Sequence, residues 1–244
     1  MNLTGHGRSG MLETAFMISV LIPTCDHERA LVPTLSTLVP GAADGVVRDV
    51  TVVDGGSADA TPEVADLAGC HFVRGGGKRG DRLDEAARGA KGPWLLFLEP
   101  GVALDEGWQR EVRSLIDALE RQGEADRRAA VFRYGLDGFG GKVRLAEFFA
   151  DVAGLLTGLP RAEQGLLIHK RFYERLGGYR PLPVMEDADL IRRIGRRRIV
   201  ALRARALAPA SRSAAASRGG VRAALTAGLL MLRVPPHLVA RLYG

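Results

Sequence analysis

Four short polar segments, each following an apolar run, carry side chains in this 244-residue sequence that could do chemistry: Thr24 to Glu28, Asp54 to Asp59, Arg74 to Arg79, and Glu99. In an open parallel sheet a ligand binds beyond the carboxyl ends of the strands, so these are the positions it would meet. Asp54 leaves a buried strand with a carboxylate that can accept hydrogen bonds from a base N–H or from ribose hydroxyls. Gly55 and Gly56 behind it let a ligand approach the backbone. The same aspartate would also complete a turn. Gly75-Gly-Gly-Lys-Arg-Gly80 satisfies the G-x-G-x-x-G spacing of a dinucleotide-binding turn, with Glu99 at a later strand end. Two strand–helix units precede it, however, and Lys78 and Arg79 set bulky charge in a turn that would have to hug a pyrophosphate. Cys25 and Cys70 are too few for a disulfide framework, are not spaced as a metal pair, and read as small buried side chains.

The elements that must position these groups follow from periodicity. Met17-Ile-Ser-Val-Leu-Ile-Pro23 is a buried strand, and Leu31, Leu35 and Leu38 put an amphipathic helix over Glu28 to Leu38. Asp49 to Val53 is a second strand, followed by a helix with Thr61 as its cap and Pro62 at its first position. His71 to Val73 and Trp94 to Leu98 are further strands, with a helix over Asp81 to Ala90 between them. Such alternation makes an α/β sheet, mostly parallel. The second half is less regular. Helices are expected over Glu106 to Arg121, Leu145 to Leu156 and Phe172 to Leu176, and another opens at Met185-Glu-Asp-Ala-Asp-Leu190. Strands are expected over Ala130 to Tyr134 and Gly165 to His169.

Hydrophobic residues make up 46% of the chain and charged residues 25%, which is enough for a full core and excludes a fibrous or disordered protein. The longest apolar stretch, Ala223 to Leu232, is too short to span a bilayer. Residues 1–16 lack the apolar core of a signal peptide and read as a leader to a cytoplasmic protein. Residues 17–203 read as one domain, and 204–244 as an arginine-rich helical extension. The net charge of +6 is uneven: twelve arginines and no acidic residue follow Asp189. That asymmetry suits an anionic partner, or a solvated arginine surface. Arg218, Arg222, Arg233 and Arg241, interleaved with leucines, suit a helix lying on an anionic membrane surface. The same leucines could instead cover the core, and Pro235-Pro236 interrupts the stretch. With no zinc or helix-turn-helix signature, and Tyr243 as the tail's one aromatic, nucleic acid is not expected as a partner.

Read in order, Ser19-Val-Leu-Ile-Pro-Thr24, Asp54-Gly-Gly-Ser-Ala-Asp-Ala-Thr61, Trp94-Leu-Leu-Phe-Leu98, Leu176-Gly-Gly-Tyr179 and Met185-Glu-Asp187 resemble the ordered motifs of family 2 glycosyltransferases. The small bacterial single-domain members are the most similar, and Arg233 to Tyr243 resembles their ending. The resemblance implies a GT-A fold, a Rossmann-like nucleotide half fused to an acceptor half. It implies inverting transfer of a sugar from a nucleotide-diphosphate donor to an acceptor hydroxyl. Pro23, Thr24, Asp26 and Glu28 would then line the nucleotide pocket, although the family more often has asparagine where Asp26 stands. Asp54 would hold the base or ribose, Arg79 would meet the diphosphate, and Gln164 would contact the acceptor or donor sugar. Asp187, with Glu186 beside it, would be the general base that takes the acceptor proton. The same acidic pair would also stabilise the first turn of its helix.

One departure matters. Where the family carries an Asp-X-Asp type motif, whose last aspartate binds Mg²⁺ or Mn²⁺, this chain has Glu99-Pro100-Gly101. Glu99 alone is a thin site for an ion that prefers several oxygen ligands. Three outcomes stay open: arginines neutralise the diphosphate, a metal is held by phosphates, Glu99 and water, or catalysis is lost. The last would leave a glycosyltransferase-like protein that binds a nucleotide or a partner without turning it over.

Overall fold

The computed structural model describes residues 17–137 and 162–209. The leader, the helix expected over Leu145 to Leu156 and the arginine–leucine tail with its membrane reading lie outside those residues. Strand β1 (Ile18–Thr24) sits between β2 (Val47–Asp54) and β4 (Trp94–Phe97), parallel to both. It is buried on both faces, which is why it reads as a near-continuous apolar run. Ile18, Val20 and Ile22 enter one core while Leu21 enters the other. Strand β4 divides the same way, with Trp94 and Leu96 on one face and Leu95 and Phe97 on the opposite face.

Two helical layers cover these faces. Helices α1 (Glu28–Ala43), α2 (Thr61–Leu67) and α4 (Trp108–Gln122) bury Leu31, Leu38, Ala65, Val112 and Ile116 in the first core. Helices α3 (Arg79–Gly89), α5 (Lys170–Arg175) and α6 (Glu186–Ile194) bury Leu83, Phe172, Tyr173, Leu190 and Ile191 in the second. The remaining strands are β3 (His71–Arg74), β5 (Ala103–Leu104), β6 (Ala129–Asp137), β7 (Leu166–His169) and β8 (Ile199–Pro209). They complete one eight-stranded sheet of order β3-β2-β1-β4-β7-β6-β8-β5. Its first four strands are parallel, and β7 pairs antiparallel with both β4 and β6. The chain order reverses between β1 and β4, so the crevice beyond their carboxyl ends is where an open sheet of this kind takes a ligand.

Several expectations need correction. Helix α1 runs five residues past Leu38, through Pro40, packed against Trp108, whose Nε1 donates to the Thr37 carbonyl at 2.8 Å. Thr61 is the first residue of α2 rather than its cap; Ala60 holds the cap position, and the Thr61 hydroxyl donates to Asp59 at 2.5 Å. Residues 204–209, expected to begin a helical extension, are the second half of β8. Apolar and arginine residues alternate there with period 2, so that Leu202, Ala206 and Ala208 are buried and Arg203 and Arg205 are not. Cys25 is exposed and Cys70 half-buried, where burial pushes its thiol up to about 11. Strand β5, two residues long, gave no periodicity to read. No helix among the described residues is long and apolar enough to cross a membrane.

Gly92 shows how tightly the start of β4 is seated. A Cβ there would come within 2.7 Å of the Met17 carbonyl oxygen and 2.9 Å of the Ser19 nitrogen, both backbone atoms that cannot rotate away. Its N–H also donates to the Ser19 hydroxyl at 2.9 Å. Gly92→Ala should therefore destabilise the fold by about 1–3 kcal/mol, the usual cost of overpacking. Urea denaturation of the two proteins measures the difference.

Candidate functional site

Two loops form a floor beyond the carboxyl ends of β1 and β2. The loop after β1 and the loop after β2 are tied to each other by carboxylates that accept from backbone N–H groups. Asp26 accepts from Ala58 N at 2.7 Å and Glu28 from Ala60 N at 3.0 Å. In return, Glu28 N donates to Asp59 at 3.0 Å and Asp26 N to the Ser57 hydroxyl at 2.9 Å. Asp26 itself sits at φ +55, a left-handed conformation that an aspartate tolerates better than most residues. Asp54 lies beneath, fully buried. Its carboxylate accepts from the Ser57 hydroxyl (2.5 Å), Ser57 N (3.0 Å), Gly56 N (3.0 Å) and Arg74 Nε (3.1 Å). Burial opposes its ionisation, but these donors outweigh burial and hold its carboxyl below the ordinary aspartate value.

Beyond β1 and β4 the chemistry converges on one cation. Arg79, the first residue of α3, donates through one terminal nitrogen to Glu186 (2.5 Å) and Asp187 (2.8 Å), and through the other to Glu99. Its side chain keeps 29% of its exposure, and those of Asp187, Glu99 and Glu186 keep 28%, 19% and 8%. Burial works against the guanidinium charge, yet Asp187 and Glu99 more than offset it, so the arginine pKa rises above its ordinary value. Tyr179 donates its hydroxyl to the other oxygen of Asp187 at 2.7 Å. Arg79, Glu99, Tyr179 and Asp187 face one cleft, lined also by Pro23, Phe97, Gly165 and Ile191.

Close backbone contact makes this convergence possible. A Cβ on Gly80 would lie 2.4 Å from the Arg180 carbonyl oxygen, so only glycine lets the first turn of α3 meet the loop before α6. That loop is strapped in place by Arg193, which donates to the carbonyls of Leu176 (2.6 Å) and Gly178 (2.7 Å), and by Lys78, which donates to the Pro181 carbonyl at 2.9 Å. Glu186 and Asp187 form the first turn of α6, whose N-cap, Met185, is left-handed at φ +66.

The described residues do not fit a divalent cation. Gly101 stands at φ +87, and a side chain there would start toward Pro209 and Ala30, 3.1 and 3.6 Å away. Glu99 is engaged by Arg79, so the place between the three carboxylates is already held by a guanidinium. No group of three metal-ligating side chains is available among the described residues.

Of the residues singled out from sequence, Arg79, Glu99, Glu186 and Asp187 form one ion cluster, with Pro23 on the same cleft wall. Thr24, Asp26, Glu28 and Asp54 belong to the loop floor, where their polar atoms mainly hold protein. Gln164 donates to the Phe132 carbonyl at 2.9 Å, next to Gly165 in the cleft. Two residues were missed. Tyr179 was read only as part of a Gly-Gly-Tyr motif. Arg82 lies one turn after Arg79; it donates to the Gly77 carbonyl at 2.7 Å and its guanidinium sits 2.8 Å from where a Gly55 Cβ would be, while its Nε is buried without a partner. The i, i+3 spacing of two arginines at a helix start was the available signal.

No protein-family model and no curated protein matches the chain by sequence. Among solved structures it is similar to glucosyl-3-phosphoglycerate synthase from Mycobacterium tuberculosis in complex with Mn²⁺ and UDP-glucose. The TM-score is 0.56 and the identity 19%, over 93% of this chain and 84% of that one. It is also similar to a structure of TarS from S. aureus, at TM-score 0.54 and 17% identity, over 78% of this chain and 60% of that one. TarS has also been solved with UDP, and matches at TM-score 0.51. These neighbours are GT-A glycosyltransferases, and likeness at this identity establishes that the fold is GT-A.

The loop floor makes a pH-dependent contribution whose sign follows from Asp54. A carboxyl held below its unfolded value adds stability that is present above about pH 4 and lost as pH falls through the folded value. Asp54→Asn should cost about 1–3 kcal/mol at neutral pH, where charged hydrogen bonds are removed. The gap between the two proteins should narrow below about pH 4, as urea titrations across pH 7 to 2.5 will measure.

Proposed function

We propose that the protein is an inverting glycosyltransferase that moves a sugar from a nucleotide-diphosphate donor to an acceptor hydroxyl. The observation that carries this reading is a half-buried arginine shared with an aspartate in the crevice between β1 and β4. The neighbours that carry UDP and UDP-glucose support the donor class. In this reading the nucleotide lies over the loop floor, where Asp54 fixes the backbone of Gly56 and Ser57. The Arg82 guanidinium stands at the same floor, its Nη2 2.8 Å from where a Gly55 Cβ would lie, and is a further donor for the base or ribose.

Arg79 receives the diphosphate. A guanidinium pairs two donors with phosphate oxygens, and in a cleft shielded from water that charge is effective at the departing group. Asp187 removes the acceptor proton as the acceptor oxygen attacks the anomeric carbon from the side opposite the diphosphate. The C–O bond to the diphosphate breaks as the new glycosidic bond forms, and the configuration inverts. Glu186, more buried than Asp187, keeps Arg79 in place from below. A reading without turnover, in which the site binds a nucleotide only, is favoured by Gly101, where the family places its metal ligand.

The two readings separate on consumption of a panel of nucleotide sugars, with and without Mn²⁺. Turnover is expected, and Asp187→Asn should slow it by about 10²-fold or more while leaving donor affinity nearly intact. An unchanged rate removes Asp187 from the mechanism. Because an arginine holds the place of the cation, Mn²⁺ should tighten UDP binding less than about tenfold, or ~1.4 kcal/mol, by calorimetry against a chelator. A hundredfold effect would overturn that assignment.

A further inference from the structure

Both carboxylate oxygens of Asp187 are engaged, and by groups of opposite permanence. Oδ2 accepts from Arg79, a cation with two other acidic partners. Oδ1 accepts from the Tyr179 hydroxyl at 2.7 Å. Tyr179 is only 5% exposed, and its ring meets Phe97 edge-on at 5.1 Å. A phenylalanine would fill the same space and keep that contact, so packing alone does not call for the hydroxyl. The residue is anchored at its other end as well. Its backbone N–H donates to the Tyr173 hydroxyl at 2.9 Å, which in turn donates to Asp84 of α3 at 2.8 Å. The base is thus referenced to the helix whose first residue is Arg79.

We infer that Tyr179 is the positioning residue of the base: it holds Asp187 by Oδ1 while the donor's diphosphate takes Arg79 away from Oδ2. The inference rests on the functional reading above and adds to it an exchange. In the free protein each oxygen of Asp187 already accepts one bond, and Oδ2 is tied to the guanidinium. A diphosphate oxygen replaces Oδ2 as acceptor for the shared guanidinium nitrogen, while Glu99 and the more buried Glu186 retain the arginine. Asp187 then faces the cleft with one oxygen free and the other pinned, so that its direction does not depend on the cation that left. The donor's arrival thus releases the oxygen that serves as the base.

The test combines carboxyl labelling with kinetics. Wild-type protein is treated with a carbodiimide and glycine ethyl ester, alone, with uridine and with UDP, and labelling at Asp187 is read by mass spectrometry. Labelling should rise about fivefold or more with UDP and stay flat with uridine. Bound UDP, verified by calorimetry, with flat labelling overturns the exchange. For Tyr179→Phe, UDP affinity should stay within about twofold of wild type. With a nucleotide sugar the wild type consumes, kcat should fall about tenfold, near the worth of one charged hydrogen bond, with the donor KM unchanged. A kcat equal to wild type, or a loss confined to KM, overturns the positioning role alone. If the wild type consumes no nucleotide sugar, the catalytic reading fails and this inference falls with it.

Discussion

One guanidinium shared among three carboxylates is the interaction on which the site depends. Arg79 comes from the start of α3, Glu99 from the end of β4, and Glu186 and Asp187 from the start of α6. Without the cation, three acidic groups would face one another in a partly dehydrated cleft, and like charges there repel strongly. With it, the two helices and the strand end are drawn to a common point. The rest of the local architecture serves that convergence. Gly80 permits the approach of α3, while Arg193 and Lys78 hold the intervening loop by its carbonyls.

The same interaction explains how the fold accommodates Gly101. In the proposed function a departing diphosphate has its charge offset here, and the supply of positive charge is a matter of position rather than of chemical kind. Here a fixed side chain occupies the ground among the carboxylates. At position 101 the backbone instead turns left-handed, and its N–H donates to the Thr34 hydroxyl at 2.8 Å. A cation built into the chain needs no uptake from solution. It is also less adaptable, because its reach is set by the first turn of α3.

Much of the sheet was legible because strands buried on both faces have a plain signature. Val20, Leu21 and Ile22, or Leu95 and Leu96, are apolar without interruption, and the polar residue that follows each run marks the strand's functional end. What could not be read was mostly a matter of distance. Asp26 and Glu28 are separated from Ala58 and Ala60 by about thirty residues of sequence, and nothing local says that their carboxylates are committed to another loop's backbone. The hydroxyl of Tyr179 was hidden in the same way, since a tyrosine and a phenylalanine look alike in an apolar pattern until a partner is known. Strand β8 misled for a different reason. Alanine and arginine both favour helix, and it was the period of two, imposed by pairing along β6, that prevailed over propensity.

The reciprocal bonds between the loops after β1 and β2 also bear on how such a pocket can change. Asp26 supports the backbone at Ala58, Glu28 that at Ala60, and Asp59 and Ser57 support the first loop in return. Neither loop has a shape of its own that survives alteration of the other. Residues in this floor therefore form a single heritable unit, and a change in its shape would have to move through paired substitutions or leave the floor intact. Among the described residues the neighbouring cleft carries no such reciprocal lock at Gly165 and Ile191, which contribute shape to its wall. Change along that wall can proceed one residue at a time, while the two-loop floor is inherited whole.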